Sequence, residues 1–363
     1  MSDVETVSRH AATVTRSSSS SRRFIILRRG GFSARLPVRT LVVTASLFAA
    51  ILVIGVIALC AGSFALSPGE VLSALAGQGD SCSRLVVMEW RLPRVLAAIA
   101  FGAALGVSGA LFQSFTRNPL GSPDVLGFDA GAVTGALVAT LVLGAGQVGL
   151  TMGALIGGLL TAVVVSAFGL ASGSGSMRLI VVGIGVSATL IAFNQLLIER
   201  AELEEAMRAS SWTLGSLASI GWEQLAPASG VITVLLVGAA VIARPGRMFE
   251  LHGEAAAAFG VRVRSTRLVM LGIGVALVAV PVSVTGPIAF VALTAPHLAR
   301  QLTRLGPLAV PPAALMGALV LLSADVAVLL LPTTSTLPVS IATLVLGGGY
   351  FIWLLINEWR HAR

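Results

Sequence analysis

The sequence predicts an all-α fold, a polytopic membrane bundle of about ten transmembrane helices with both termini cytoplasmic. Three observations predict it. Of 363 residues, 56% are hydrophobic and only 11% are charged, with a mean hydropathy of +0.93. A soluble domain this apolar would expose more hydrophobic surface than water tolerates. From Leu41 onward, apolar runs follow one another, each long enough to cross about 30 Å of hydrocarbon. Finally, the arginines are distributed unevenly between the two sides that those runs define.

Residues 1–40 read as a separate arginine- and serine-rich tail, which cannot bury enough surface to fold and is expected to be disordered. The membrane domain, 41–363, divides into spans near 41–63, 93–113, 125–144, 147–170, 179–198, 225–243, 268–285, 287–303, 308–331 and 338–357. Pro287 and Pro296 interrupt the eighth of these, and the 125–170 region admits other divisions. With the N-terminus inside, 19 of the 24 arginines fall in inner segments, five of them in the 244–267 loop. That asymmetry fixes the orientation. The outer segments hold Arg84, Arg91, Arg94, Arg200 and Arg208, with an acidic cluster at Glu199, Glu202, Glu204 and Glu205.

All 24 basic side chains, histidines aside, are arginine. Without lysine there is no P-loop lysine to reach a nucleotide's β- and γ-phosphates and no amine for a Schiff base. His10, His252, His297 and His361, with Cys60 and Cys82, are too scattered for a metal site or a disulfide framework. Small residues recur at four-residue spacing: Gly102, Gly106 and Ala110; Gly127, Gly131 and Gly135; Gly149, Gly153 and Gly157. Each set shares a helix face on which backbones can approach closely.

Three polar stretches stand out. Trp90–Arg94 (WRLPR) opens the second span on the outer side, with Pro93 in the first turn. Spacing alone leaves Arg91 and Arg94 either snorkelling to headgroups or receiving a partner. Phe115–Gly127 (FTRNPLGSPDVLG) is a proline-punctuated inner loop. Phe249–Val261 (FELHGEAAAAFGV) is an alanine-rich stretch expected to form a short helix ended by Gly260, either interfacial or a docking element. Asp129 and Asp325 are acids within spans, where ionisable groups default to a functional reading.

The segment Arg91–Gly131 (RLPRVLAAIAFGAALGVSGALFQSFTRNPLGSPDVLGFDAG) resembles the most characteristic stretch of the FecCD-type permeases, membrane subunits of ABC importers for iron–siderophore complexes, haem and vitamin B12. So do GEAAAAFGV (Gly253–Val261), TGPIAFVALTAPHLAR (Thr285–Arg300), LLSAD (Leu321–Asp325) and LPVSIATLVLGGGYFIWLL (Leu337–Leu355). Together these cover nearly everything after the tail, in the family's order. The resemblance implies an ATP-driven import permease, not itself an enzyme, in the bacterial cell membrane. Its implied partners are an ATPase dimer, a second permease (identical or homologous) and an extracytoplasmic substrate-binding lipoprotein. The implied substrate is a ferric siderophore, closest in appearance to enterobactin; no nucleic acid is expected, and ATP and magnesium belong to the ATPase rather than to this chain.

By the same resemblance, Arg91 and Arg94 meet acidic residues of the binding protein. Glu250, His252, Gly253, Glu254, Ala255, Ala256, Phe259 and Gly260 form the element that couples to the ATPase. Relatives usually place two acids after the glycine; here only Glu254 follows Gly253. The path is implied to run beside the fifth and tenth helices, with Asn194 and Gln195 as polar candidates. Relatives carry a small polar residue where Asp129 stands, whereas Asp325 follows the family and is expected to be structural, paired with a helix end or a polar neighbour. An ion-gradient-driven secondary transporter is the rival reading; it would need a mid-membrane relay that two isolated aspartates hardly provide.

Overall fold

The computed structural model describes residues 24–29, 32–62, 64–170, 176–247, 263–306, 308–331 and 337–361. Strands β1 (Phe24–Arg29) and β2 (Phe32–Pro37) pair antiparallel, with Arg29 opposite Phe32. This part of the expected tail therefore has regular structure. Its physical basis lies in two apolar-rich segments on either side of Gly30-Gly31, a pair suited to a two-residue hairpin connection. Residues 1–23 lie outside the described residues.

Thirteen helices follow among the described residues: α1 (Val38–Cys60), α2 (Pro68–Leu75), α3 (Ser81–Leu85), α4 (Leu92–Thr116), α5 (Phe128–Leu137), α6 (Gln147–Leu170), α7 (Ser176–Arg200), α8 (Leu203–Thr213), α9 (Trp222–Arg247), α10 (Val263–Thr285), α11 (Val291–Thr303), α12 (Val310–Leu330) and α13 (Val339–His361). A wide π-type turn, Val86–Arg91, joins α3 to α4, so that Ser81–Thr116 is continuous over 36 residues. Seven of these helical stretches are long and apolar enough to span, and Phe128–Val142 and Val339–Trp353 are shorter apolar helices.

The eighth expected span, 287–303, is helical over only part of its length. Only α11 forms there, with 13 residues and about 20 Å long, so helix alone does not cover the distance between the outer Thr285 and the inner end of α11. The preceding residues break from helical geometry, and Phe290 takes a left-handed backbone, φ 67°. Irregular backbone survives at membrane depth only when protein covers it. Here the Phe290 N–H donates to Asp124 Oδ2 (3.0 Å), the Ser340 hydroxyl donates to Pro287 O (3.2 Å), and the Ser216 N–H donates to Thr285 O (2.8 Å). Three separate parts of the chain thus pin the break.

Helices α4, α10 and α12 form the interior. The spanning window that includes α4 is 78% buried, against 22% for that of α1 and 17% for that of α7, whose apolar outer faces suit lipid or a neighbouring subunit. Core side chains include Phe101, Leu105, Leu111, Phe112, Leu277 and Leu321, each at most 1% exposed. The small-residue stripes find partners. Gly102 and Gly106 on α4 meet the backbone of Ala313 and Gly317 on α12, while Gly131 and Gly135 on α5 meet Gly153 and Gly157 on α6. Without a hydrophobic force between helices in lipid, such close backbone contact supplies much of the packing energy.

A methyl group on Gly317 would overlap the carbonyl oxygen of Gly102. Gly317→Ala is therefore expected to destabilise the bundle by about 1–3 kcal/mol, the usual cost of overpacking. Gly272→Ala on α10, where a Cβ meets nothing within 4 Å, should be neutral or mildly stabilising. Thermal unfolding of the two variants in nanodiscs compares them; equal stability would contradict the close contact.

Candidate functional site on the outer side

The outer ends of α1, α4 and α12 meet around the two sequence-predicted arginines. Arg91 closes the wide turn and Arg94 lies in the first turn of α4, with Pro93 between them where its missing N–H costs nothing. Both guanidinium groups turn onto their own chain. Arg91 Nη1 donates to Leu59 O (2.7 Å) and Cys60 O (3.3 Å), and Nη2 donates to Phe64 O. The last carbonyls of any helix lack intrahelical donors, and a cation there also offsets the helix dipole. Helix α1 has no basic residue in its own last turn, so Arg91 serves as its cap from another helix.

Arg94 is engaged more completely. Its Nε lies 2.9 Å from Asp325 Oδ2 and its Nη2 lies 2.8 Å from Oδ1, a two-pronged pair between α4 and α12. The Asp325 side chain is 2% exposed and that of Arg94 is 21% exposed. Asp325 is thus the counter-ion of Arg94. Around the pair, Arg84, Glu89 and Trp90 are exposed, and the Trp222 indole N–H donates to Met88 O (2.9 Å), tying α9 to the wide turn.

A cleft of about 680 Å³ opens among the outer ends of α5, α6, α8, α9 and α10. Thr140, Gln147, Glu205, Arg208, Trp212 and Ser219 are among its lining residues. Its two charged side chains have opposite sign, and Arg208 is further paired with Glu204 one turn back on α8. The walls therefore mix apolar and polar side chains and are close to neutral, with room for a ligand of several rings.

Asn194 and Gln195 separate. Asn194 is buried: it accepts from the Thr134 hydroxyl (2.7 Å) and donates to Ala130 O (3.2 Å), which stitches α7 to α5. It faces into the chain and is not open to a path, whereas the adjacent Gln195 is exposed. Asp129 sits in the first turn of α5, where the helix dipole favours an acid. Its Oδ1 is buried without a hydrogen-bond partner among the described residues, within electrostatic reach of Asp124. The coupling residues Glu250, His252, Gly253, Glu254, Ala255, Ala256, Phe259 and Gly260 lie outside the described residues.

Sequence reading passed over Asp124, which anchors the Phe290 break. The available signal was an aspartate following Pro123 in an inner loop, a pattern that ordinarily marks only a turn. On the inner side, His297 Nδ1 faces Arg300 Nη2 (3.3 Å), which also donates to Gln113 Oε1 (2.9 Å). These contacts place His297 in a network with the Arg300 guanidinium and the Gln113 amide.

Breaking the Arg94–Asp325 pair leaves a desolvated charge, which costs about 3–5 kcal/mol. Arg94→Gln should therefore lower thermal stability strongly, and exchanging the two residues (Arg94→Asp with Asp325→Arg) should recover part of the loss. A single variant as stable as the parent would show that the pair does not form.

The family model described as the FecCD transport family matches residues 50–357. The chain is 43% identical over 322 residues to the ferric enterobactin transport system permease protein FepG of Escherichia coli (strain K12), covering 89% of this chain and 98% of that protein. It is 33% identical over 340 residues to the achromobactin transport system permease protein CbrC of Dickeya dadantii (strain 3937), covering 93% and 97%. It is 34% identical over 280 residues to the hemin transport system permease protein HmuU of Yersinia pestis, covering 74% and 82%. A solved structure described as an inward-facing, metal-chelate type ABC transporter superposes with a TM-score of 0.77 at 27% identity, covering 87% of this chain and 99% of that one. With the helical bundle, its orientation and these likenesses together, the chain belongs to the FecCD transport family and is a multi-pass membrane permease.

Proposed function

We propose that this chain is the permease of an ABC importer that carries an iron(III)–siderophore complex inward, the siderophore being a catecholate of the enterobactin type. The observation that carries the reading is the 43% identity to a ferric enterobactin permease, sustained over 98% of that protein's length. The 680 Å³ outer cleft supports it physically, because its size falls in the range that encloses multi-ring ligands. Near-neutral walls also suit passage: a site that held an anionic chelate tightly would slow its release.

In this reading the chelate arrives on a binding protein, whose acidic residues meet the rim around Arg91 and Arg94. It enters the outer cleft and passes beside the exposed face of α7 that carries Gln195. Two ATPase subunits beneath the membrane hold ATP and magnesium, and this chain itself binds no cofactor. The 250–261 segment, with Glu254 as its retained acid, passes ATPase closure to the bundle. A second permease, identical or homologous, completes the path.

Two experiments test the reading. In a deletion strain grown on ferric enterobactin as sole iron source, the gene should restore growth and Ala218→Trp, which fills the cleft, should restore it poorly despite normal membrane levels. Full growth with the filled cleft would remove the cleft from the path. Glu254→Arg should leave ATP hydrolysis by the assembled complex intact while reducing uptake at least about tenfold, as loss of an interface charge pair does; unchanged uptake would remove Glu254 from coupling.

A further inference from the structure

Of the two rim arginines, one keeps its net charge and the other does not. Among the described residues Arg91 donates to the carbonyl oxygens of Leu59, Cys60 and Phe64, which are dipoles, so its positive charge remains. Arg94 gives its Nε and Nη2 edge to Asp325, and the pair sums to zero. Asp325 is 1% exposed, so water scarcely screens its carboxylate. An acid approaching the 21%-exposed Arg94 side chain would meet that buried negative charge directly behind the guanidinium.

We propose that Asp325 is a positioning residue for partner docking: it holds Arg94 in a neutral pair, leaves Arg91 as the net cation of the Trp90–Arg94 stretch, and thereby keeps docking weak enough to reverse. The proposal rests on the docking reading given above and adds to it the control of affinity. A binding protein must leave before it can deliver again. Affinity differences among related complexes reside mostly in the dissociation rate. A buried acid that offsets one of two receiving cations acts on that rate.

This assignment predicts effects of opposite sign, which a purely structural ion pair would not produce. Asp325→Asn should lower the thermal stability of the permease and at the same time tighten docking roughly tenfold, mainly by slower dissociation, with a steeper dependence on ionic strength. Asp325→Glu, which can re-form the pair, should restore most of both properties. The measurement is surface-plasmon docking of the permease's cognate substrate-binding protein, loaded with ferric enterobactin, on the whole permease–ATPase complex in nanodiscs.

The neutral double variant Arg94→Gln with Asp325→Asn retains an amide hydrogen bond between the helices and should lose the gain in affinity. Docking by Asp325→Asn equal to or weaker than the parent overturns the proposal. If the single variant does not insert, the double variant decides: docking weakened tenfold or more would mean that Arg94 engages the partner despite Asp325, which also overturns it. Arg91→Gln separates the two layers of the argument. Its docking should fall about tenfold; an unchanged value would strike the docking reading itself.

Discussion

The close contact between α4 and α12 is the constraint on which the rest depends. Gly102 and Gly106 face Ala313 and Gly317 with no side chain between the backbones, and the Arg94–Asp325 pair closes the outer end of the same seam. Helix α11 then packs on the inner half of α4, where Gly109 meets the carbonyl of Ala292 and the Gln113 amide donates to Leu293 O (2.9 Å). Helix α10 closes the other side through the Ser108 hydroxyl and Gly274 O (2.7 Å). Loosening the seam would therefore move the inner network and the outer rim together.

A buried ion pair is a costly way to join helices, because desolvation consumes much of the Coulombic gain. Its advantage is direction. A two-pronged guanidinium–carboxylate pair fixes rotation and register between α4 and α12, which smooth glycine faces alone leave free to slide. The irregular stretch before α11 is secured by the same logic. Phe290 holds a left-handed backbone because Asp124, Ser340 and the segment around Ser216 each supply a hydrogen-bond contact there or beside it. Backbone held in an uncommon conformation by several elements is a point where motion of one element is felt by the others.

Much of this was legible in the sequence, for physical reasons. Spans follow from run length, orientation from arginine placement, and the α4 and α5 faces from glycine spacing. The pairings were not, because they join residues far apart in the chain: Arg94 and Asp325 are separated by 231 positions, and Asp124 and Phe290 by 166. Ala313 and Gly317 on α12 keep the same four-residue spacing, but spacing alone does not tell that they face Gly102 and Gly106. Pro287 and Pro296 did announce an interruption, yet they could not say that helix would begin only at Val291. Asn194 looked like a path residue because polar side chains in spans are conspicuous; only its partners on α5 show that it is internal glue. For residues 24–37, arginine content outweighed the hairpin signal of Gly30-Gly31, and the strands were missed.

The charge pattern has a consistent sense throughout. A chain with 24 arginines and no lysine cannot build a P-loop of its own, which fits the proposal that ATP is used through a separate subunit. The most direct measurement is radioiron uptake into proteoliposomes containing the permease assembled with its ATPase, with ferric enterobactin delivered outside on the binding protein. Uptake should require ATP inside and persist when proton and sodium gradients are collapsed. Uptake that continued without ATP and stopped with the gradients would contradict an ATP-driven importer outright.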